Sequence, residues 1–299
     1  PPPLLALGPG GRSLSTRVVR GSTIAYADEF DFAGRTFLLT WDRGIVPKDK
    51  VRPYPESSFE GVILRGERRL PIALFRGKDQ PKYRQTAASR FEPSGEQWTR
   101  LSWVALTGET AEEDGVTYEQ TTETGIWCAR KDAAIARQVE RAPARIEQQD
   151  EGRRSWIDIS ILGGTLVAYE NRTPVYATLI SPGRGGLPRR GVPTLETAST
   201  PTGLFPVVGK FLTATMVSGS NSDLVHAEVH YTQNIDGPYA LHGAYWHDRF
   251  GEKKSGGCVN LSPIDSRRIF AWTEPRLPTG WHGMRTGAFP IKTLVHLHR

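Results

Sequence analysis

Alternation of apolar and polar residues with period two marks the chain more clearly than any helical period. After Trp156, Ile157, Asp158, Ile159, Ser160 and Ile161 alternate strictly, Gly163-Gly164 follows, and 165–169 is a second β-type run. Two such runs around a Gly pair predict a β-hairpin. Further strands are expected at 174–180, 204–208, 225–231 and 291–297. Upstream, short β-type runs at 35–41, 61–64, 70–75, 101–106, 116–120 and 125–128 are separated by turn residues. Residues 181–203 are rich in turn residues and are expected to form a mobile surface loop.

One helix start is well marked. Ser262 can cap, Pro263 suits the first helical position and Asp265 the third, predicting a helix through 264–272 that Pro275 stops. Residues 131–150 are charged, Ala-rich and interrupted by Pro143, and are expected to be a short helix and linker. The fold class is therefore mainly β, with one or two short helices. The expected organisation is a Pro/Gly-rich tail (1–15), a smaller β-rich unit of barrel or SH3-like kind (16–130), the linker (131–150) and a β-rich sandwich (151–299).

Composition narrows the function classes. The 31 Gly and 22 Pro of 299 residues suit many turns between short strands. No apolar run approaches the roughly 18 residues of a membrane-spanning helix. The net charge is +6, of which the first 150 residues carry +1 and the rest +5 as scattered basic pairs. No basic stripe with interleaved aromatics is present, so nucleic acid is not an expected partner. The chain begins Pro1-Pro2-Pro3, and the expectation is a trimmed form whose targeting segment is gone.

All seven histidines lie in the last 74 residues, which places acid–base chemistry there. Two cysteines exclude a disulfide scaffold. Cys128, in Ile126-Trp127-Cys128, reads as part of a core strand, and a Cys128–Cys258 disulfide is not expected because it would join two domains. Cys258 stands in Ser255-Gly256-Gly257-Cys258-Val259-Asn260, and His242 lies 16 residues upstream in His242-Gly243-Ala244-Tyr245-Trp246. A thiol becomes a useful nucleophile as thiolate, so it needs a base or a positive environment. His242 supplies the base, the two glycines give access and backbone N–H groups for an oxyanion, and the helix start near Ser262 adds a positive end. His226/His230 and His296/His298 can each be drawn as metal pairs. No third ligand at a suggestive spacing accompanies them, so ordinary polar or packing roles are expected, with no metal and no organic cofactor.

These residues resemble the signature of the L,D-transpeptidase catalytic domain, the YkuD family. His242, Gly243, Trp246, Ser255, Gly257, Cys258 and Asn260 fall on it, and the 156–169 hairpin, Leu179-Ile180-Ser181-Pro182-Gly183 and Thr200-Pro201-Thr202-Gly203 match in order. Gly256 departs, since the family usually has His before the Gly-Cys pair. The resemblance covers roughly 150–299. It implies a YkuD-like catalytic sandwich in which Cys258 attacks a peptidoglycan stem tetrapeptide, expels the terminal D-Ala and passes the acyl group to the amine of a neighbouring stem. His242 would be the base, with the Gly243 carbonyl as its partner, and the Gly257 and Cys258 N–H groups would bind the oxyanion. Ser255 and Asn260 would hold the loop, and Trp246 and Tyr245 would wall the cleft. Gly256 puts in question the role of the missing His, for which His247 or His230 can substitute only in space. Hydrolysis by a thiol carboxypeptidase or endopeptidase, and a non-catalytic wall-binding module, are the alternatives. A wall substrate implies a monomeric enzyme exported to the periplasm or cell envelope.

Overall fold

The computed structural model describes residues 18–87, 90–148, 154–217, 224–285 and 292–299. The tail at 1–15 lies outside them. Strands β1 (Tyr26–Phe32), β2 (Arg35–Thr40) and β3 (Ile45–Pro47) form an antiparallel meander. β4 (Val62–Ile63) stands apart from it. The next seven strands are β5 (Ile72–Phe75), β6 (Gln80–Ala87), β7 (Arg90–Trp98), β8 (Trp103–Glu113), β9 (Val116–Thr121), β10 (Ile126–Ala129) and β11 (Ala133–Ala136). They make one antiparallel sheet in the order β11-β5-β8-β9-β10-β6-β7. Cys128 on β10 is fully buried beside Phe75 and Trp98.

Residues 131–150 hold the expected short helix but also a strand that was not expected. Ala133–Ala136 pairs with β5, and only α1 (Ala144–Glu147) is α-helical. The Ala-rich run favours helix locally, but burying it against an apolar strand outweighs a propensity of a few tenths of a kcal/mol per residue.

The second half begins with β12 (Ser155–Ser160), β13 (Thr165–Glu170) and β14 (Thr173–Leu179), then α2 (Thr194–Thr197) and β15 (Gly203–Pro206). β16 (Gly209–Val217), β17 (Val225–Asp236), β18 (Tyr239–Gly243), β19 (Val259–Leu261), α3 (Pro263–Trp272), β20 (Gly283–Arg285) and β21 (Leu294–His298) follow. Two sheets result, β15-β21-β12-β13-β14-β4 and β19-β18-β17-β16-β20. Ile157, Ile159, Val295 and Leu297 of the first share one core with Leu241, Val259 and Leu261 of the second and Ile269 of α3. The period-two alternation drives this arrangement, because one face of each sheet must leave water. The fold is mainly β. β4, from the first half of the chain, is nonetheless an edge strand of the second half's sheet, paired with β14.

The expectation of a surface loop at 181–203 is corrected at its two ends, while 189–193 are exposed. Ser181, Ser199 and Thr200 are fully buried, Ser181 and Asn260 exchange backbone hydrogen bonds (2.8 and 2.9 Å), and Gly185 N–H donates to Ala198 O (3.0 Å). Turn-rich composition reports chain reversals, and these reversals are folded against the second sheet.

Asp265 ties several of these pieces together. Its N–H donates to the Ser262 cap (3.0 Å), while its fully buried carboxylate accepts from Tyr176 Oη (2.6 Å), Thr178 Oγ1 and Gly61 N–H (2.9 Å). Removing it orphans three buried donors. Asp265→Ala is therefore expected to lower unfolding stability by about 3 kcal/mol in urea titrations. A loss below about 1 kcal/mol would show that the network is not a structural anchor.

Candidate active site

β18 and β19 run parallel, with Leu241 opposite Val259, His242 opposite Asn260 and Gly243 opposite Leu261. Leu241, Val259 and Leu261 point into the shared core. Alternation along the strands then turns His242, Asn260 and Cys258 (one step before β19) to the opposite face. The Ala240 N–H hydrogen-bonds to the Cys258 sulfur, and the thiol lies 3.7 Å from Pro238 O.

The loop before the sulfur is held from several sides. Ser255 Oγ donates to Cys258 O (2.5 Å) and accepts from Gly257 N–H (3.0 Å). Thr200 Oγ1 donates to Gly257 O (2.9 Å) and accepts from Gly183 N–H (2.8 Å). Gly257 has φ +136°, and a Cβ there would sit 2.6 Å from Tyr239 Cε1 and 3.0 Å from Ser199 O. Only glycine fits this position. Gly256 is exposed, and a Cβ there would meet nothing within 4 Å. The Gly257 N–H, expected as an oxyanion donor, is already given to Ser255.

His242 is buried, and its Nδ1–H donates to Gly243 O (3.1 Å), which leaves the Nε2 lone pair as the basic site. Gly243 lets α3 approach, since a Cβ would lie 2.7 Å from Ser266 Oγ. Burial holds the His242 pKa down to about 4 and pushes the Cys258 thiol up to about 11, although the Ala240 N–H pulls the other way. Desolvation disfavours whichever form is charged, so both partners are neutral at rest.

The surrounding aromatics have distinct roles. Trp246 stacks on His226 (centroids 4.2 Å, 8°) and lies 5.8 Å from the His242 ring. His226 Nδ1 is 3.2 Å from Thr23 Oγ1, so an N-terminal residue braces the tryptophan from behind. Tyr245 is a tie rather than a cleft wall, because its hydroxyl is held by Thr23 Oγ1 (2.7 Å) and Ala227 O (2.5 Å). His247 Nε2 meets the Asn260 amide at 3.1 Å, and burial lowers its pKa to about 4. His230 packs against Tyr245 instead (5.9 Å). Of the two, His247 is the one joined to the residue opposite His242.

Trp246 and His247 line one side of an open cleft of about 690 Å³, beside the site, whose lining includes neither His242 nor Cys258. Tyr54 and Phe59 line the other, and the Arg100–Asp248 ion pair (2.5 Å) lies within it. The 54–60 segment is fastened by stacking of Phe59 on Phe250 (5.7 Å) and by Glu60–Arg268 (2.5 Å). Nothing in the local sequence marks this wall, which is assembled from contacts about 190 residues apart. The only cluster of three potential metal ligands among the described residues is Asp158, His296 and His298, away from the thiol.

Two outcomes follow from this geometry. Below a thiol pKa near 11 the thiolate fraction grows about tenfold per pH unit. Iodoacetamide alkylation of Cys258, followed by peptide mass, is expected to accelerate steadily from pH 7 to 10, and a plateau by pH 8 would refute the neutral thiol. In denaturant unfolding, Gly257→Ala should cost about 1–3 kcal/mol through strain and overlap, whereas Gly256→Ala should stay within about 0.5 kcal/mol.

Residues 154–291 match the family model of the L,D-transpeptidase catalytic domain, YkuD. No curated protein matches the chain. Among solved structures, an Enterococcus faecium L,D-transpeptidase C442S mutant is 20% identical over 48% of this chain and 50% of its own, with a TM-score of 0.36. A Mycobacterium smegmatis L,D-transpeptidase is 13% identical over 93% and 94% of the two chains, TM-score 0.36, and one from Stackebrandtia nassauensis is 19% identical over 52% and 63%, TM-score 0.32. The present chain thus spans about half the length of the Enterococcus protein. The matched segment, residues 154–291, belongs to the YkuD family of L,D-transpeptidase catalytic domains.

Proposed function

We propose that this protein is a cysteine-dependent L,D-transpeptidase of peptidoglycan, with Cys258 as nucleophile and His242 as general base. The observation that carries this reading is the β18/β19 register, which puts both side chains on one face while the opposite face is locked in the core. In this reading residues 16–130 form an accessory unit, joined through 131–150 to a catalytic unit at 151–299. A monomeric chain exported to the periplasm or cell envelope fits a wall substrate.

The neutral pair sets the order of events. Cys258 Sγ attacks the carbonyl carbon of the third, diamino acid residue of the donor stem, and His242 Nε2 takes the thiol proton as the C–S bond forms. The carbonyl oxygen becomes an oxyanion, for which the Cys258 N–H is the candidate donor, the Gly257 N–H being committed to Ser255. Collapse breaks the C–N bond, and His242 returns the proton to the departing D-Ala amine. The thioester carbonyl is then attacked by the side-chain amine of a second stem, His242 takes a proton from that amine, and the thiol leaves. The Gly243 carbonyl keeps the imidazole in the tautomer that both half-reactions require.

Water is the competing acceptor, favoured by one observation: Gly256 is exposed, and a side chain there would meet nothing within 4 Å. Incubation with a stem tetrapeptide separates the outcomes, a cross-linked dimer indicating transfer and a trimmed monomer hydrolysis. Intact mass after a carbapenem should show one stable adduct mapping to Cys258. Cys258→Ala should abolish both adduct and product, and His242→Ala should slow acylation by roughly 10²–10⁴-fold. Retention of the cellular effect in Cys258→Ala would point instead to a non-catalytic wall-binding module.

A further inference from the structure

β21 and β12 are parallel neighbours, with Asp158 opposite His296. Along these strands Ile157, Ile159, Val295 and Leu297 face the core, so Asp158, His296 and His298 alternate to the outer face of their sheet. His242 and Cys258 occupy the outer face of the other sheet, and the shared core lies between the two groups. The thiol chemistry and this cluster are therefore separate sites.

The three side chains converge. His296 Nδ1 lies 2.8 Å from Asp158 Oδ1, and His298 Nε2 lies 3.0 Å from Asp158 Oδ2. The two imidazoles stack at 4.9 Å and 21°, and all ligand atoms fall within 4.8 Å of one another. His296 and His298 are two apart on one strand, a spacing in which no third ligand was expected from sequence. Strand pairing brings that ligand from 138 residues away. The carboxylate is almost covered (9% exposed), while the imidazoles keep 29% and 38% of their side-chain surface open.

We propose that Asp158, His296 and His298 form a Zn²⁺-type divalent metal site that clamps β21 to β12. Two imidazole nitrogens and one carboxylate oxygen are a standard borderline set for Zn²⁺, and a fourth position remains for water. Tetrahedral bonds of about 2.0–2.2 Å require donor atoms roughly 3.3 Å apart, so the 2.8 and 3.0 Å separations must open slightly, while the widest separation, within 4.8 Å, must close by rotation of the imidazoles. The backbone is already held, since β21 lies between β15 and β12, and β12 is flanked by β13. A metal here replaces two hydrogen bonds with three coordinate bonds and would fasten the last strand of the sheet. It has no part in the reaction at Cys258.

Calorimetric titration of chelator-treated Cys258→Ser protein with Zn²⁺ tests this directly, because that variant removes the competing thiol. The expected result is one ion per chain with micromolar or tighter affinity. At a hundredfold excess over Kd, the Tm should rise by about 5 °C. Co²⁺ should give the visible d–d bands of a tetrahedral site, and in the wild type it should show no thiolate charge-transfer band. His298→Gln and His296→Gln, checked for native circular dichroism, should each weaken binding by tenfold or more. Absence of a saturable ion on the Cys258→Ser protein, or unchanged affinity in both histidine variants, would overturn the site and leave the three residues as a hydrogen-bonded pair of imidazoles on one carboxylate.

Discussion

The parallel ladder between β18 and β19 is the contact on which the site depends. A parallel pair needs a crossover, and here the excursion from Ala244 to Cys258 carries Trp246, His247, Ser255 and the two glycines before returning in register. A slip of one residue would turn His242 into the core and Leu241 out of it, so the cost of exposing Leu241, Val259 and Leu261 holds the register. The base and the sulfur thus inherit their relation from hydrophobic burial rather than from any bond between them. The buried ends of the 181–200 segment reinforce it through Ser181 and Thr200, which hold Asn260 and Gly257.

Burial has an electrostatic consequence. A charged thiolate–imidazolium pair would be expensive in this setting, and the protein holds the neutral pair instead. Charge then develops when a carbonyl is present to receive the sulfur and an N–H to receive the oxygen. Such an arrangement suppresses reaction with adventitious electrophiles, because the nucleophile is generated together with its target. The hydrogen bond from His242 to Gly243 O keeps the base ready without a carboxylate partner, and a glycine at 243 serves twice, since it also lets α3 pack closely.

The first half of the chain holds residues that neighbour the site. Thr23 braces His226 and Tyr245, the 54–60 segment walls the cleft, and β4 completes the edge of the second half's sheet. Asp265 joins these regions at one point, because its carboxylate accepts from Gly61 as well as from β14. The cleft shape therefore depends on contacts between residues remote in sequence.

Local signals were enough to locate much of this. The 157–161 alternation, the Ser262-Pro263-Asp265 start of α3 and the His242…Gly-Gly-Cys258 spacing each concern neighbours along the chain, where steric and hydrogen-bonding preferences act directly. The strand at Ala133–Ala136, the buried ends of 181–203 and the tie made by Tyr245 were not legible, because each depends on a partner supplied from elsewhere. The same holds for Asp158 beside His296 and His298, which strand order alone brings together. The protonation state of Cys258 belongs to this second class as well. Residue type sets a thiol's ordinary pKa, but the surroundings of the half-buried Cys258 decide how far it moves, and those exist only once distant segments have packed around it.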